Sequence, residues 1–82
     1  MIDVLFFGRM ADVSETRTLT VALPGEGLNL LGLRDRIFAA ALADGRVRAG
    51  DIRMSVNRIV ANGDQVLKDG DEVAFFSVFS GG

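Results

Sequence analysis

The side chains that usually carry chemistry are scarce in these 82 residues, which include no His, Cys, Tyr or Trp. The commonest general base, the commonest metal ligand and the thiolate nucleophile are all absent. Ser14, Ser55, Ser77 and Ser80 have no histidine to activate them, which excludes an ordinary serine hydrolase. Asp69, Asp71 and Glu72 surround Gly70. They lack the spacing of a calcium hand, and Asp-Gly is a turn signal, so a structural role is the better reading. Gly25 and Gly27 sit in a Pro-Gly loop, but the one lysine is Lys68, far from it, so this is no phosphate cradle. Arg34, Arg36, Arg46, Arg48 and Arg53 are interleaved with Asp35, Asp44 and Asp51. A solvated helix face and loop account for them. As a patch they would suit an acidic protein better than nucleic acid.

What remains is the closing Gly81-Gly82. One reading is a frayed end. The other is chemical. Two glycines make the thinnest thread a polypeptide can form and accept backbone angles closed to other residues. Set directly after a strand, they would present a terminal carboxylate on a slender probe that fits a narrow channel in another protein. The carboxylate would then be the reacting group, and the chain would need no base or nucleophile of its own.

The elements that must hold such a probe follow from the pattern of apolar residues. Ile2 to Phe7 is an apolar run broken only by Asp3, and Gly8 stops it, as in a largely buried strand. Arg9 to Thr16 is mixed and polar and reads as a turn-like connection. Thr18 to Leu23 alternates, placing Leu19, Val21 and Leu23 on one face of a second strand that Pro24-Gly25 ends. Asn29 is a good helix N-cap. After it Leu30, Leu33, Ile37 and Ala41 form one stripe, with Leu31, Phe38 and Leu42 beside it, predicting a helix over 29–44. Ile52 to Val60 reads as a third strand, Asn62-Gly63 as a tight turn, and Gln65 to Leu67 as a minor strand. Asp69-Gly70 is another turn, and Glu72 to Phe79 is the last strand. One helix covers only one face of a sheet. The first strand, the most apolar, belongs at the centre with the last beside it, and the crossover through the helix is right-handed. This is an α+β, β-grasp (ubiquitin-like) arrangement: a mixed sheet with one main helix packed on one face. Residues 1–82 form a single domain.

Composition narrows the partners. Hydrophobic residues make up 49% of the chain and charged ones 24%, which excludes a disordered chain. A net charge of −2 argues against binding a phosphate backbone, and no apolar stretch is long enough to span a membrane. The opening Met1-Ile2-Asp3-Val4 lacks the features of a secretory signal, so a cytoplasmic location is expected.

Three segments carry a family resemblance. Val4-Leu5-Phe6-Phe7-Gly8-Arg9, Met54-Ser55-Val56-Asn57 and Leu67 to Phe76 with Ser80-Gly81-Gly82 are similar to the molybdopterin synthase small subunit, a ubiquitin-like sulfur carrier family. The order, spacing and length agree over essentially the whole chain. The resemblance implies a cycle. A ubiquitin-activating-type adenylyltransferase uses ATP and magnesium to convert the Gly82 carboxylate to an acyl-adenylate. A persulfide donor displaces AMP and leaves a thiocarboxylate. The carrier docks on the molybdopterin synthase large subunit, in a heterotetramer, and delivers sulfur to cyclic pyranopterin monophosphate to build the dithiolene. It implies that this chain binds no cofactor or metal and is a sulfur-donor subunit without catalytic side chains.

The same resemblance assigns Gly82 the sulfur and Gly81 the threading of the tail. Phe76 matches an aromatic at the family's partner surface, although core packing is an equal reading, because Phe75 and Phe76 face opposite sides of their strand. Phe79 and Ser80, beside the tail, are candidate docking residues. Ser77-Val78-Phe79 stands where the family commonly has Pro-Pro-Val. Without prolines to stop pairing, the last strand is free to run longer. The tail also resembles that of the thiamine-pathway sulfur carrier, and the activation chemistry is shared with ubiquitin-like protein modifiers. A plain interaction module with incidental glycines is the remaining alternative.

Overall fold

The computed structural model describes residues 1–77. Five strands form one mixed sheet in the order β2-β1-β5-β3-β4. They are β1 (Ile2–Phe6), β2 (Thr18–Val21), β3 (Ile52–Val56), β4 (Ile59–Val60) and β5 (Glu72–Ser77). The first and last strands are neighbours as expected: β1 pairs parallel with β5, and also antiparallel with β2, while β3 pairs antiparallel with β5 on its other side. The helices α1 (Arg9–Ser14), α2 (Leu30–Ile37) and α3 (Ala39–Ala43) complete the chain with a 3-10 turn over Ala49–Asp51. This is the β-grasp fold. No helix among the described residues is long and apolar enough to cross a membrane.

Side chains alternate along each strand, so one face of the sheet takes Ile2, Val4 and Phe6 from β1, Ile52, Met54 and Val56 from β3, and Val73 and Phe75 from β5. All are buried, and Leu30, Leu33, Phe38 and Ala41 close over them from the helices. At the centre, the Phe38 ring meets Phe6 and Phe75 edge-on, with centroids 5.9 and 5.2 Å away, while Phe6 and Phe75 stack at 5.8 Å. Such pairs add about 0.5–1.5 kcal/mol each beyond the area they bury.

Five local expectations are corrected. Arg9 to Thr16 is not merely a connection, because its first six residues form α1. Met10 is fully buried and Ala11 and Val13 pack on the core, so tertiary burial stabilises a segment too short to be helical alone. The helix expected over 29–44 is interrupted at Phe38, whose φ of −99° and ψ of 17° leave the helical range as its ring enters the aromatic cluster. Backbone hydrogen bonds still run on both sides, from Phe38 N–H to Arg34 O and from Leu42 N–H to Phe38 O. The strand expected over 52–60 folds back on itself. Asn57 and Arg58 both have positive φ (50° and 70°), as a two-residue hairpin turn requires, and β4 returns along β3. Asn62-Gly63 is therefore not the hairpin turn, and Gln65 to Leu67 provides only an isolated bridge between Asn29 and Val66.

Asn29 occupies the N-cap of α2, but its side chain does not cap the helix. That role falls to Asp64, whose Oδ1 accepts the Leu31 N–H at 2.9 Å and the Gln65 N–H at 2.9 Å. The Asn29 amide donates to the other Asp64 oxygen.

Candidate functional site

The strand that leads to the C-terminus is the middle one of the sheet. Its position is fixed from both sides: Phe6 is paired with Phe75 on β1, and Arg53 with Phe76 on β3. The turn that launches it is built by Asp71. One carboxylate oxygen accepts the Lys68 N–H at 2.7 Å, and the other accepts the Asn57 amide at 2.9 Å. The Lys68 N–H, with the Asn57 amide, holds the Asp71 carboxyl below its ordinary value of 3.8. Gly70, at φ 90°, makes the turn, and Asp71 N–H closes it on Lys68 O at 3.0 Å. Asp69 meets the N-terminal ammonium. The acidic run 69–72 is thus occupied in shaping the entry to β5, and Glu72 lies 3.8 Å from Arg58.

The structure separates Phe75 from Phe76. Phe75 is in the core, at 0% exposure, whereas Phe76 is half-buried on the opposite face, which no helix among the described residues covers. The register puts Ala74 between Leu5 of β1 and Ser55 of β3 on that face. Phe7, 53% exposed, follows Leu5 two residues on, and its N–H donates to Phe75 O at 3.0 Å. Leu5, Phe7 and Phe76 therefore form an apolar patch on the bare side, around Ala74, which is itself buried. Ser55, Arg58 and Glu72 border it, and together these residues line a shallow hollow of about 570 Å³. A second hollow on the other side of Phe7 also includes Leu5 and reaches Asp12, Glu15 and Arg17. Uncovered apolar surface rimmed by polar groups is what a docking face requires.

The patch lies at the end of the sheet from which the chain leaves, because Phe76 is followed by Ser77, the last described residue, paired with Ile52. Val78, Phe79, Ser80, Gly81 and Gly82 lie outside the described residues. The sequence reading missed Leu5 and Phe7. The signal is in the pattern: a single helical layer covers one face, so the positions of β1 alternating with Val4 and Phe6 must face the bare side. The arginines do not gather into a patch of free cations. Arg34 pairs with Asp35 at 2.7 Å and Arg46 with Asp44 at 2.8 Å, while Arg36, Arg48 and Arg53 are exposed.

Comparison with known proteins decides the family. The ThiS family model matches residues 4–82, a span that includes both closing glycines. This chain belongs to the ThiS family. It is 37% identical to the "Molybdopterin synthase sulfur carrier subunit" of Escherichia coli (strain K12), over the full length of both chains. Among solved structures it resembles SAMP1 from Haloferax volcanii, with a TM-score of 0.72, 25% identity, and coverage of 99% of this chain and 98% of that one. It also resembles Urm1 from Trypanosoma brucei, with a TM-score of 0.67, 28% identity, and coverage of 99% and 94%. The ThiS family assignment and these neighbours agree with the β-grasp fold described above.

Proposed function

We propose that this chain is the sulfur carrier subunit of a molybdopterin synthase. The observation that carries this reading is the 37% identity, without truncation on either side, to the E. coli sulfur carrier subunit. In the proposed cycle the Gly82 carboxylate attacks the α-phosphorus of ATP on an adenylyltransferase of the ubiquitin-activating type. Pyrophosphate leaves and a glycyl adenylate forms. Sulfur from a persulfide donor then attacks the acyl carbon and expels AMP. Reductive cleavage of the acyl persulfide by a thiol leaves a thiocarboxylate on Gly82. The carboxylate is inert until adenylylation makes it a mixed anhydride with AMP as leaving group, and the thiocarboxylate is a strong nucleophile best kept from water.

The chain's own contribution is presentation. Gly81 and Gly82 thread the partner's channel, with Phe79 and Ser80 at its mouth. The Leu5, Phe7, Ala74 and Phe76 face seats the body on the adenylyltransferase and then on the large subunit. An exposed aromatic, Phe7, beside the half-buried Phe76 is the kind of anchor that dominates protein interfaces. ATP and magnesium belong to the activating partner, and this chain needs no cofactor of its own.

The test is intact-mass spectrometry of the chain after incubation with its adenylyltransferase, ATP, magnesium, a persulfide donor and thiol. A gain equal to one oxygen-for-sulfur exchange, placed on Gly82 by fragmentation, is expected. An unchanged mass, or a gain elsewhere, overturns the reading. The thiocarboxylate should then yield product with a molybdopterin synthase large subunit. Product with a thiazole synthase alone would move the chain to thiamine synthesis, and its recovery linked to protein lysines would make it a modifier.

A further inference from the structure

The two edges of the sheet are finished differently. β4 is only two residues long, which blunts that edge. β2 is a longer edge: Thr18, Leu19 and Thr20 are all exposed, and the run Thr18 to Leu23 has no charge and no proline before Pro24. Charge, proline and bulges are the usual guards of an exposed edge. The hydrogen bonding shows which groups are presented. Phe6 N–H donates to Arg17 O at 2.9 Å, and the same register pairs Val4 with Leu19 and Ile2 with Val21. In an antiparallel ladder every second residue bonds inward, so Thr18 and Thr20 turn their N–H and C=O away from β1. The Thr16 hydroxyl already donates to Thr18 O at 2.9 Å; among the described residues no backbone or side-chain partner meets Thr20 N–H or C=O.

We propose that β2 pairs with β2 of a second copy of this chain, antiparallel about a two-fold axis at Thr20. The sequence is self-complementary in that register. Thr20 meets Thr20, and the two can exchange both backbone bonds. Thr18 meets Ala22. Leu19, which is 40% exposed in the single chain, meets Val21 on the helix side, so apolar opposes apolar. Arg17 meets Leu23, and no like charges are opposed. Among two-folds centred on a hydrogen-bonded pair, the neighbouring centres do worse. At Thr18, Leu19 meets Arg17 in place of an apolar partner; at Ala22, Pro24 is brought against Thr20 and has no N–H to give. A ladder this short falls below the roughly 800 Å² per partner of a stable interface, so the dimer is concentration-dependent. The two-fold sets the two β5 strands antiparallel, so their Ser77 ends point in opposite directions. Both bare faces stay open, so the pairing is independent of sulfur carriage.

Sedimentation of the full chain from micromolar to millimolar concentration tests this, alongside amide hydrogen exchange. The average mass should climb toward twice that of one chain, and exchange at Thr20 should slow as it does. Thr20→Pro removes an outward N–H and none of the β1–β2 bonds, so the fold should survive while the dimer is lost. Leu19→Lys keeps every backbone group and should also abolish it. Circular dichroism confirms folding of both. A chain that stays monomeric throughout the range overturns the proposal. So does self-association that both folded variants retain, or Thr20 protection that appears only when a different protein is added.

Discussion

Phe75 and Phe76 are adjacent, identical in side chain and on the same central strand, yet they serve opposite sides of the molecule. Phe75 is sealed between Phe6 and Phe38, whereas Phe76 lies half-buried on a face that no element among the described residues covers. A single helical layer has only enough apolar surface for one side of the sheet. The ring that reaches that layer holds the fold together, and the ring that misses it is the one proposed above to meet another protein. The largest effect should come from breaking this symmetry of sequence. Phe75→Ala should cost about 3–5 kcal/mol, near the whole stability of so small a domain. Phe76→Ala should cost about 1 kcal/mol or less, because part of the ring is already in water. It should instead weaken capture by the adenylyltransferase about tenfold or more, the loss expected at an interface anchor. Thermal melts and a binding titration measure the two. Equal melting losses would erase the distinction between the faces.

How much of this was legible depends on how far each feature reaches along the chain. The strands β1 and β5 and the turn at Gly70 could be read because a few consecutive residues determine them. Val73 and Phe75 alternate with Ala74 and Phe76 whatever surrounds them. α1 could not be read, since its helix exists because Met10 finds a place in a core assembled from distant segments. Nor could the cap of α2, because Asp64 comes from a loop 33 residues beyond the Leu31 N–H it accepts. The bare face was half legible. Phe76 was singled out with a core reading beside it, but Leu5 and Phe7 were hidden inside a run apolar on both sides. The assignments to Phe79, Ser80, Gly81 and Gly82 fall outside the described residues and rest on the sequence and on the family match that reaches residue 82.

The covered face depends on α2 staying docked, and that dependence should show in acid. The Leu31 N–H, aided by the Asn29 amide and the Gln65 N–H, holds the Asp64 carboxyl below its ordinary 3.8. Asp71 is lowered in the same sense by the Lys68 N–H. A carboxyl whose folded value is depressed takes up its proton more readily when unfolded. Its contribution is therefore complete above the ordinary value of 3.8 and disappears as pH falls through the depressed folded values. The melting temperature should thus fall on acidification through this window. Asp64→Asn keeps an acceptor for Leu31 but loses the titration, so it should melt lower at neutral pH and follow a shallower acid slope. Parallel curves for the two proteins would mean that the loop carboxylates do not govern the helical layer.

The smallest effect is expected on the bare side and separates stability from docking there. Arg58 holds φ 70° at the β3–β4 turn, a region that costs an L-residue roughly 1–2 kcal/mol and a glycine almost nothing. Its compensation is slight: the guanidinium is 3.8 Å from Glu72 and 89% exposed, and a surface pair of that kind is worth little. Asn-Gly is the preferred sequence for such a turn. Arg58→Gly should therefore stabilise the chain by about 0.5–1 kcal/mol, the excess of relieved strain over the added backbone entropy. The side chain also borders the hollow beside Phe76. If the apolar patch alone seats the partner, Arg58→Gly raises the melting temperature and leaves capture by the adenylyltransferase unchanged, the reverse of Phe76→Ala. A variant that melts higher but binds measurably more weakly would extend the docking face to a charge at its rim, and the strained turn would then be the cost of holding that arginine in place.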